Sequence, residues 1–257
     1  MGISNSFFLP SCSPLAPLSP GGRGAGGEGV FIYKCYKGNH TESSTEPEMS
    51  SQANEITFKI WGDRALFTRP EFKTEQVTYD VITPSAAKGI AESIFWKPEI
   101  QYQVIQISLL KSIQKASILR NTLKSRQSHR TAQSGGILEI ESDRTQRHAL
   151  ILNDVAYLVT IQMQRQSHAT DPLTKYLEIF KRRLAKGQCF QQPYLGCREF
   201  VAYFSQPTDN ETPIDLTTDL GLMLHHIEFT SEGAKPIFFR ASIQKGVMDC
   251  RVIYSGD

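Results

Sequence analysis

Residues 55–110 read EITFKIWGDRALFTRPEFKTEQVTYDVITPSAAKGIAESIFWKPEIQYQVIQISLL. This stretch decides the fold. In its first seven residues Ile56, Phe58 and Ile60 alternate with Thr57, Lys59 and Trp61, the period of a strand with one buried face. Thr83 then stands before Pro84, an N-cap residue followed by a proline at the first helical position. Ala87, Ile90, Ala91, Ile94 and Phe95 follow at i, i+3, i+4, i+7 and i+8, and Pro98 ends the helix. Residues 100–109 alternate again but change phase at Val104 and Ile105, which predicts a bulged strand. The unit is strand, helix, strand.

A second such unit lies downstream. Residues 149–152 and 155–163 are strand-like and flank Asn153 and Asp154, a pair that predicts a turn. Asp171 is placed to cap a helix ahead of Pro172, with Leu173, Tyr176, Leu177, Phe180 and Leu184 as its apolar stripe and Gly187 as its stop. A glycine-bounded loop, 187–196, leads to a strand at 198–204. Strand, helix, strand, strand, helix, strand is the order of an α+β, ferredoxin-like (RRM-type) domain, here spanning residues 55–204. Residues 205–257, strand-like at 220–229, 236–241 and 247–253, predict a small C-terminal antiparallel β appendage. Residues 1–54 are Pro-rich, then Gly-rich, then polar, and predict a disordered leader. Met49 lies just before the first strand and is the expected working start.

The net charge of +2 hides a division. Residues 1–54 hold three Lys/Arg against four Asp/Glu, residues 55–186 twenty against thirteen, and residues 187–257 five against nine. The segments therefore stand at −1, +7 and −4, and the central field suits a polyanion or an acidic protein partner. Five cysteines at irregular spacing, with no C-x-x-C pair, argue against a disulfide framework and a zinc site and fit reduced thiols in a cytoplasm. No apolar run has the length of a membrane span.

Residues 100–138 contain Lys111, Lys115, Arg120, Lys124, Arg126 and Arg130 and no acid, although the chain's 26 acids in 257 residues would place about four there. Interleaved with Ser, Gln, Thr and Asn, these cations suit a mobile arm that follows phosphates, or a solvated surface loop. The second helix adds Lys175, Lys181, Arg182, Arg183 and Lys186 beside its apolar stripe. The 187–196 loop offers Phe190 and Tyr194 for stacking on bases, or for burial. His225 and His226 adjoin in a strand pattern, so their side chains are expected on opposite faces in a structural role. No Ser/His/Asp arrangement, phosphate-binding P-loop or dinucleotide fingerprint is present.

Three blocks, IWGDRALFTR (60–69), TYDVITPSAAKGIAESIFWKP (78–98) and GQCFQQPYLGCREF (187–200), together resemble the fifth Cas protein family in its type I-C branch, within the RAMP superfamily. DLGLMLHHIEF and PIFFRA in the C-terminal part fit the same pattern. The resemblance implies a cytoplasmic antiviral-defence subunit that holds the 5′ handle of CRISPR RNA in a Cascade complex, beside other Cascade subunits and target DNA. It also implies cleavage of precursor CRISPR RNA within repeats, without a metal or other cofactor, by attack of a ribose 2′-hydroxyl. The family assigns the chemistry to a Tyr at the end of the first helix and a Lys–His pair at the start of the second. In this chain Phe95 stands at the first position and Lys175–Tyr176 at the pair. The resemblance thus leaves Lys175 for the phosphate charge and Tyr176 or His168 as proton carrier. The alternative is an inactive structural cap on RNA cut by another nuclease.

Overall fold

The computed structural model describes residues 54–251 apart from 73, 126, 127, 138, 231 and 232, and apart from the side chains of Thr131 and Phe229. The expected leader through residue 53, Met49 within it, and Arg126 lie outside the described residues. What is described is mostly antiparallel sheet with few helices.

Strand β1, Glu55–Ala65, buries Ile56, Phe58 and Ile60 as its alternation requires. A two-residue strand, β2 (Gln76–Val77), precedes helix α1, Pro84–Ile94. The Thr83 hydroxyl accepts the Ala86 N–H at 3.2 Å, and Ala87, Ile90, Ala91 and Ile94 face the core. Truncating a fully buried Ile such as Ile94 to Ala costs about 2–5 kcal/mol. Strand β3, Ile100–Leu109, is bulged between Val104 and Gln106, and both Val104 and Ile105 are buried. This is the predicted phase change.

The basic stretch is not a mobile arm. Gln114–Leu123 form strand β4, which pairs over all ten residues with β5, Arg144–Arg165. Two short helices, α2 (His129–Gln133) and α3 (Ile140–Asp143), lie in the connection. Ladder hydrogen bonds satisfy the backbone here, and Ala116 and Ile118 pack onto the core.

Strand β5 also corrects the predicted turn at Asn153 and Asp154. Asp154 takes a φ of +48°, a kink, yet β1 pairs on both sides of it, through Arg64 with Asn153 and Gly62 with Val155. The partner strand holds the kink inside one 22-residue strand. Helix α4, Leu173–Lys186, differs at its start: Pro172 is the N-cap, and the Asp171 carboxylate instead takes the Lys175 ammonium at 2.8 Å. It ends as predicted, with Gly187 left-handed at φ +62° and its N–H on the Arg183 and Leu184 carbonyls.

Of the predicted 198–204 strand, Tyr203 and Phe204 enter β6, Tyr203–Ser205, which pairs with β1, and Val201 forms an isolated bridge with Tyr194. The hairpin of β7 (Thr218–Thr230) and β8 (Gly233–Gln244) and the short β9 (Val247–Asp249) complete the chain. The sheet order is β6-β1-β5-β3-β9-β8-β7, so the C-terminal strands extend the same sheet through β9 on β3. Phe180 of α4 meets Phe58 of β1 edge-on at 5.7 Å and lies 5.8 Å from Tyr102 of β3, which seats α4 on the core face. Among the described residues no helix is long and apolar enough to cross a membrane.

Candidate nucleic-acid interface

The end of α1 and the start of α4 meet. Pro98 forces the chain out of helix, and Phe95 becomes the C-cap, extended at φ −149°, ψ 121°. Its ring is buried, 6.5 Å from the Tyr176 ring, and the Arg183 guanidinium lies 5.1 Å over its face. Arg183 also donates to the Ile94 carbonyl at 2.7 Å, a cation at the negative end of a helix. Phe95 and Tyr176, from the end of α1 and the start of α4, are thus brought together.

Tyr176 is a core residue. Its ring is fully buried, and its hydroxyl donates to Glu99 Oε2 at 2.6 Å. Donation to Glu99, then desolvation, then the charges of Glu99 and Asp171 push the phenol up to about 12. With its proton held on Glu99 and its pKa raised, the Tyr176 phenol is poorly suited to act as a general base at neutral pH. Lys97 sits with its Nζ 5.6 Å from the Tyr176 ring centre and 3.7 Å from Glu99 Oε2.

Lys175 points outward, about half exposed, with its ammonium on Asp171. His168 is exposed in the loop between β5 and α4. That loop is tied to the site, since the Gln166 N–H donates to the Glu99 carbonyl at 2.9 Å and the Ala169 N–H to the Gln166 carbonyl at 3.1 Å. Lys97 and Glu99 were missed in the sequence. Their only signal was position, directly after the helix-end motif and around Pro98.

The acid-free stretch borrows its acids from elsewhere. Lys111 pairs with Asp154, Lys115 with Asp80 at 2.7 Å, and Arg120 with Glu199 at 2.7 Å and with the Gln76 amide. Asp80 also lies 3.6 Å from Arg69. Asp154 belongs to β5 itself, whereas Asp80 from the β2–α1 connection and Glu199 from the 187–200 block tie the β4–β5 ribbon to the rest of the domain; each pair is partly exposed and contributes little to stability. Lys124 and Arg130 are exposed at the far end of the ribbon. Arg182 is exposed on α4 with Lys181 and Lys186, whereas Arg183 is committed to α1.

An open groove of about 290 Å³ runs between α1 and the glycine-bounded loop, lined by Thr68, Ser85, Gly89, Ser93, Tyr194 and Gly196. Phe190 is mostly exposed beside it, its N–H on the Ser93 carbonyl at 2.9 Å. Tyr194 is half-buried. His225 and His226 do not point apart. A bulge between Leu224 and His226 brings their Nδ1 atoms to 2.7 Å, with His225 Nε2 on the Cys250 carbonyl at 2.9 Å. Burial lowers the His225 pKa, and neighbouring charges on His226 and Lys88 add to that. Among the described residues no three His, Cys, Asp or Glu side chains form a metal-holding group.

Residues 55–251 match the family described as CRISPR-associated protein (Cas_Cas5). A protein of Mannheimia succiniciproducens named "CRISPR pre-crRNA endoribonuclease Cas5d" is 45% identical over 222 residues, covering 79% of this chain and 97% of that protein. One of the same name from Thermus thermophilus is 44% identical over 213 residues, covering 76% and 90%. A solved CRISPR-associated protein shares the fold at TM-score 0.59 and 21% identity, over 79% of this chain and 94% of the other. A functionally uncharacterised protein from Streptococcus mutans does so at 0.55 and 21%. With the family match running from the first strand to the last, and relatives alike across nearly their whole length, this chain belongs to the CRISPR-associated Cas5 family.

Proposed function

We propose that this chain binds the repeat-derived 5′ handle of CRISPR RNA as a subunit of a type I-C Cascade complex in the cytoplasm, and cuts precursor CRISPR RNA within its repeats. What carries the reading is that two relatives named pre-crRNA endoribonucleases are 45% and 44% identical along 97% and 90% of their lengths. The strand order β6-β1-β5-β3, with α1 between β1 and β3 and α4 between β5 and β6, supports a ferredoxin-like core over residues 55–204. The β7–β8–β9 strands are its C-terminal appendage.

Lys124, Arg130, Lys181, Arg182 and Lys186 are exposed and suited to phosphates, while Lys111, Lys115 and Arg120 position the ribbon and meet RNA at its edge. Lys175, exposed at the start of α4, neutralises charge building on the reacting phosphate, and His168 in the adjacent loop carries a proton. Other Cascade subunits, and through them target DNA, are the further partners.

The inactive-cap reading has its own support. Phe95 has no hydroxyl, and the Tyr176 phenol is buried and pinned to Glu99. Incubating the full chain in EDTA with end-labelled repeat RNA separates the two. Cleavage to one product with a cyclic-phosphate end, lost in Lys175→Ala, supports the enzyme. Retention of RNA with no cut at protein excess supports the cap.

A further inference from the structure

Between the two departures from the family's pattern stands a carboxylate. Glu99 lies just before β3, its side chain about a quarter exposed, with Oε2 2.6 Å from the Tyr176 hydroxyl and 3.7 Å from Lys97 Nζ. Its backbone carbonyl holds the loop that carries His168. The geometry is that of an aimed group. The phenol donates to one carboxylate oxygen and fixes its direction, while Oε1 has no described partner. Phe95, Lys97 and the α4 core packing in turn fix the phenol.

We propose that Glu99 is the general base of RNA cleavage by this chain, with Tyr176 as its positioning residue and Lys97 beside it for the phosphate. The inference rests on the cleavage reading above. Glu99 takes the proton of the ribose 2′-hydroxyl, and the 2′-oxygen forms a bond to the adjacent phosphorus. The bond from phosphorus to the 5′-oxygen breaks, and that oxygen takes a proton from protonated His168. A 2′,3′-cyclic phosphate and a 5′-hydroxyl result; Glu99 returns its proton to water, and His168 regains one.

A carboxylate is ionised at neutral pH and needs only reach, whereas the phenol beside it is almost wholly protonated. The charged and titratable groups that meet Glu99 are Lys97 on its own turn and Tyr176 from the first turn of α4, with Asp171, just before α4, acting on the same phenol and itself paired with Lys175. His168 lies in the loop whose Gln166 N–H is held by the Glu99 carbonyl, Arg165 is opposite Ile100 in β5, next in sequence to Glu99, and Arg183 lies over Phe95. Lys97 is thus the cation shown beside the carboxylate, placed to hold a phosphate next to it.

The test is single-turnover cleavage of labelled repeat RNA by the full chain in EDTA, between pH 4.5 and 8, with RNA binding and thermal melting measured alongside. Glu99→Gln keeps an acceptor for Tyr176 and so keeps the fold. It is expected to lower the cleavage rate constant about 10²- to 10⁴-fold, with binding within twofold. Tyr176→Phe removes the donor that aims the carboxylate and is expected to lower the cleavage rate constant while the RNA concentration at half-saturation stays unchanged. Wild-type cleavage with Glu99→Gln within threefold of it overturns Glu99 alone. Loss of cleavage only together with RNA binding overturns it as well. A wild-type chain that binds repeat RNA and never cuts it overturns the cleavage reading and this inference together.

Discussion

Replacing Gly196 with Ala tests whether the glycine-bounded loop is locked onto β1. Gly196 has a φ of +84°, and a Cβ there would fall 1.9 Å from the Leu66 carbonyl oxygen and 2.6 Å from its carbon. Backbone, unlike a flexible side chain, cannot swing aside. The left-handed conformation costs an alanine about 1–2 kcal/mol. Moving the loop also loosens the bonds from the Leu66 N–H to the Leu195 carbonyl, 3.0 Å, and from the Leu195 N–H to the Phe200 carbonyl, 2.7 Å. At about 0.5–1.5 kcal/mol each, these bring the total to about 2–5 kcal/mol, a large part of an ordinary domain's stability. Gly89 is the internal control. Its Cβ position in α1 meets nothing within 4 Å, so Gly89→Ala should stabilise by about 0.5–1 kcal/mol through helix propensity. Equilibrium urea unfolding followed by circular dichroism reads both. A Gly196→Ala midpoint indistinguishable from wild type would refute the locked loop.

Three further outcomes follow from the ion pairs and exposed cations. Burial pushes the Glu211 carboxyl up, but the Lys59 ammonium, Thr208 and the Lys59 charge overcome it and hold the pKa below the usual value. Its stabilisation is thus present above the unfolded carboxylate's pKa and lost as pH falls through the folded one, so the stability gap between wild type and Glu211→Gln should close on acidification below about pH 4.5 in pH-dependent urea melts. Lys124→Ala and Arg130→Ala should each reduce the slope of log affinity against log salt for repeat RNA by about 1, with little change in melting temperature. A double-mutant cycle on Arg120 and Glu199, 21% and 48% exposed, should give a coupling of only about 0.5 kcal/mol in urea unfolding.

The local grammar of the sequence carried much of the fold. Thr83–Pro84, the β3 phase change and Gly187 each specify a backbone event through their own chemistry, and each occurs where expected. Non-local pairing was illegible. Asn153 and Asp154 have turn composition, but the β1 ladder decides the conformation across them. His225 and His226 face each other because β8 forces a bulge into β7. The basic stretch read as unneutralised because Asp80, Asp154 and Glu199 are remote in sequence and adjacent only after folding. The candidate site shows the same limit. Motif positions located Phe95, Lys175 and Tyr176, whereas Glu99 is defined by a hydrogen bond between segments far apart in the chain.

The placement of β1 in the sheet has a consequence for synthesis. Its two neighbours are β5 and β6, and the nearer partner residues begin about 90 positions beyond its end. At about 5–20 residues per second on the ribosome, that delay is roughly 5–20 s. During it Ile56, Phe58 and Ile60, an alternating apolar run, have no partner strand to pair with. The interval makes the nascent chain, rather than the finished protein, the species most exposed to aggregation and most in need of a chaperone.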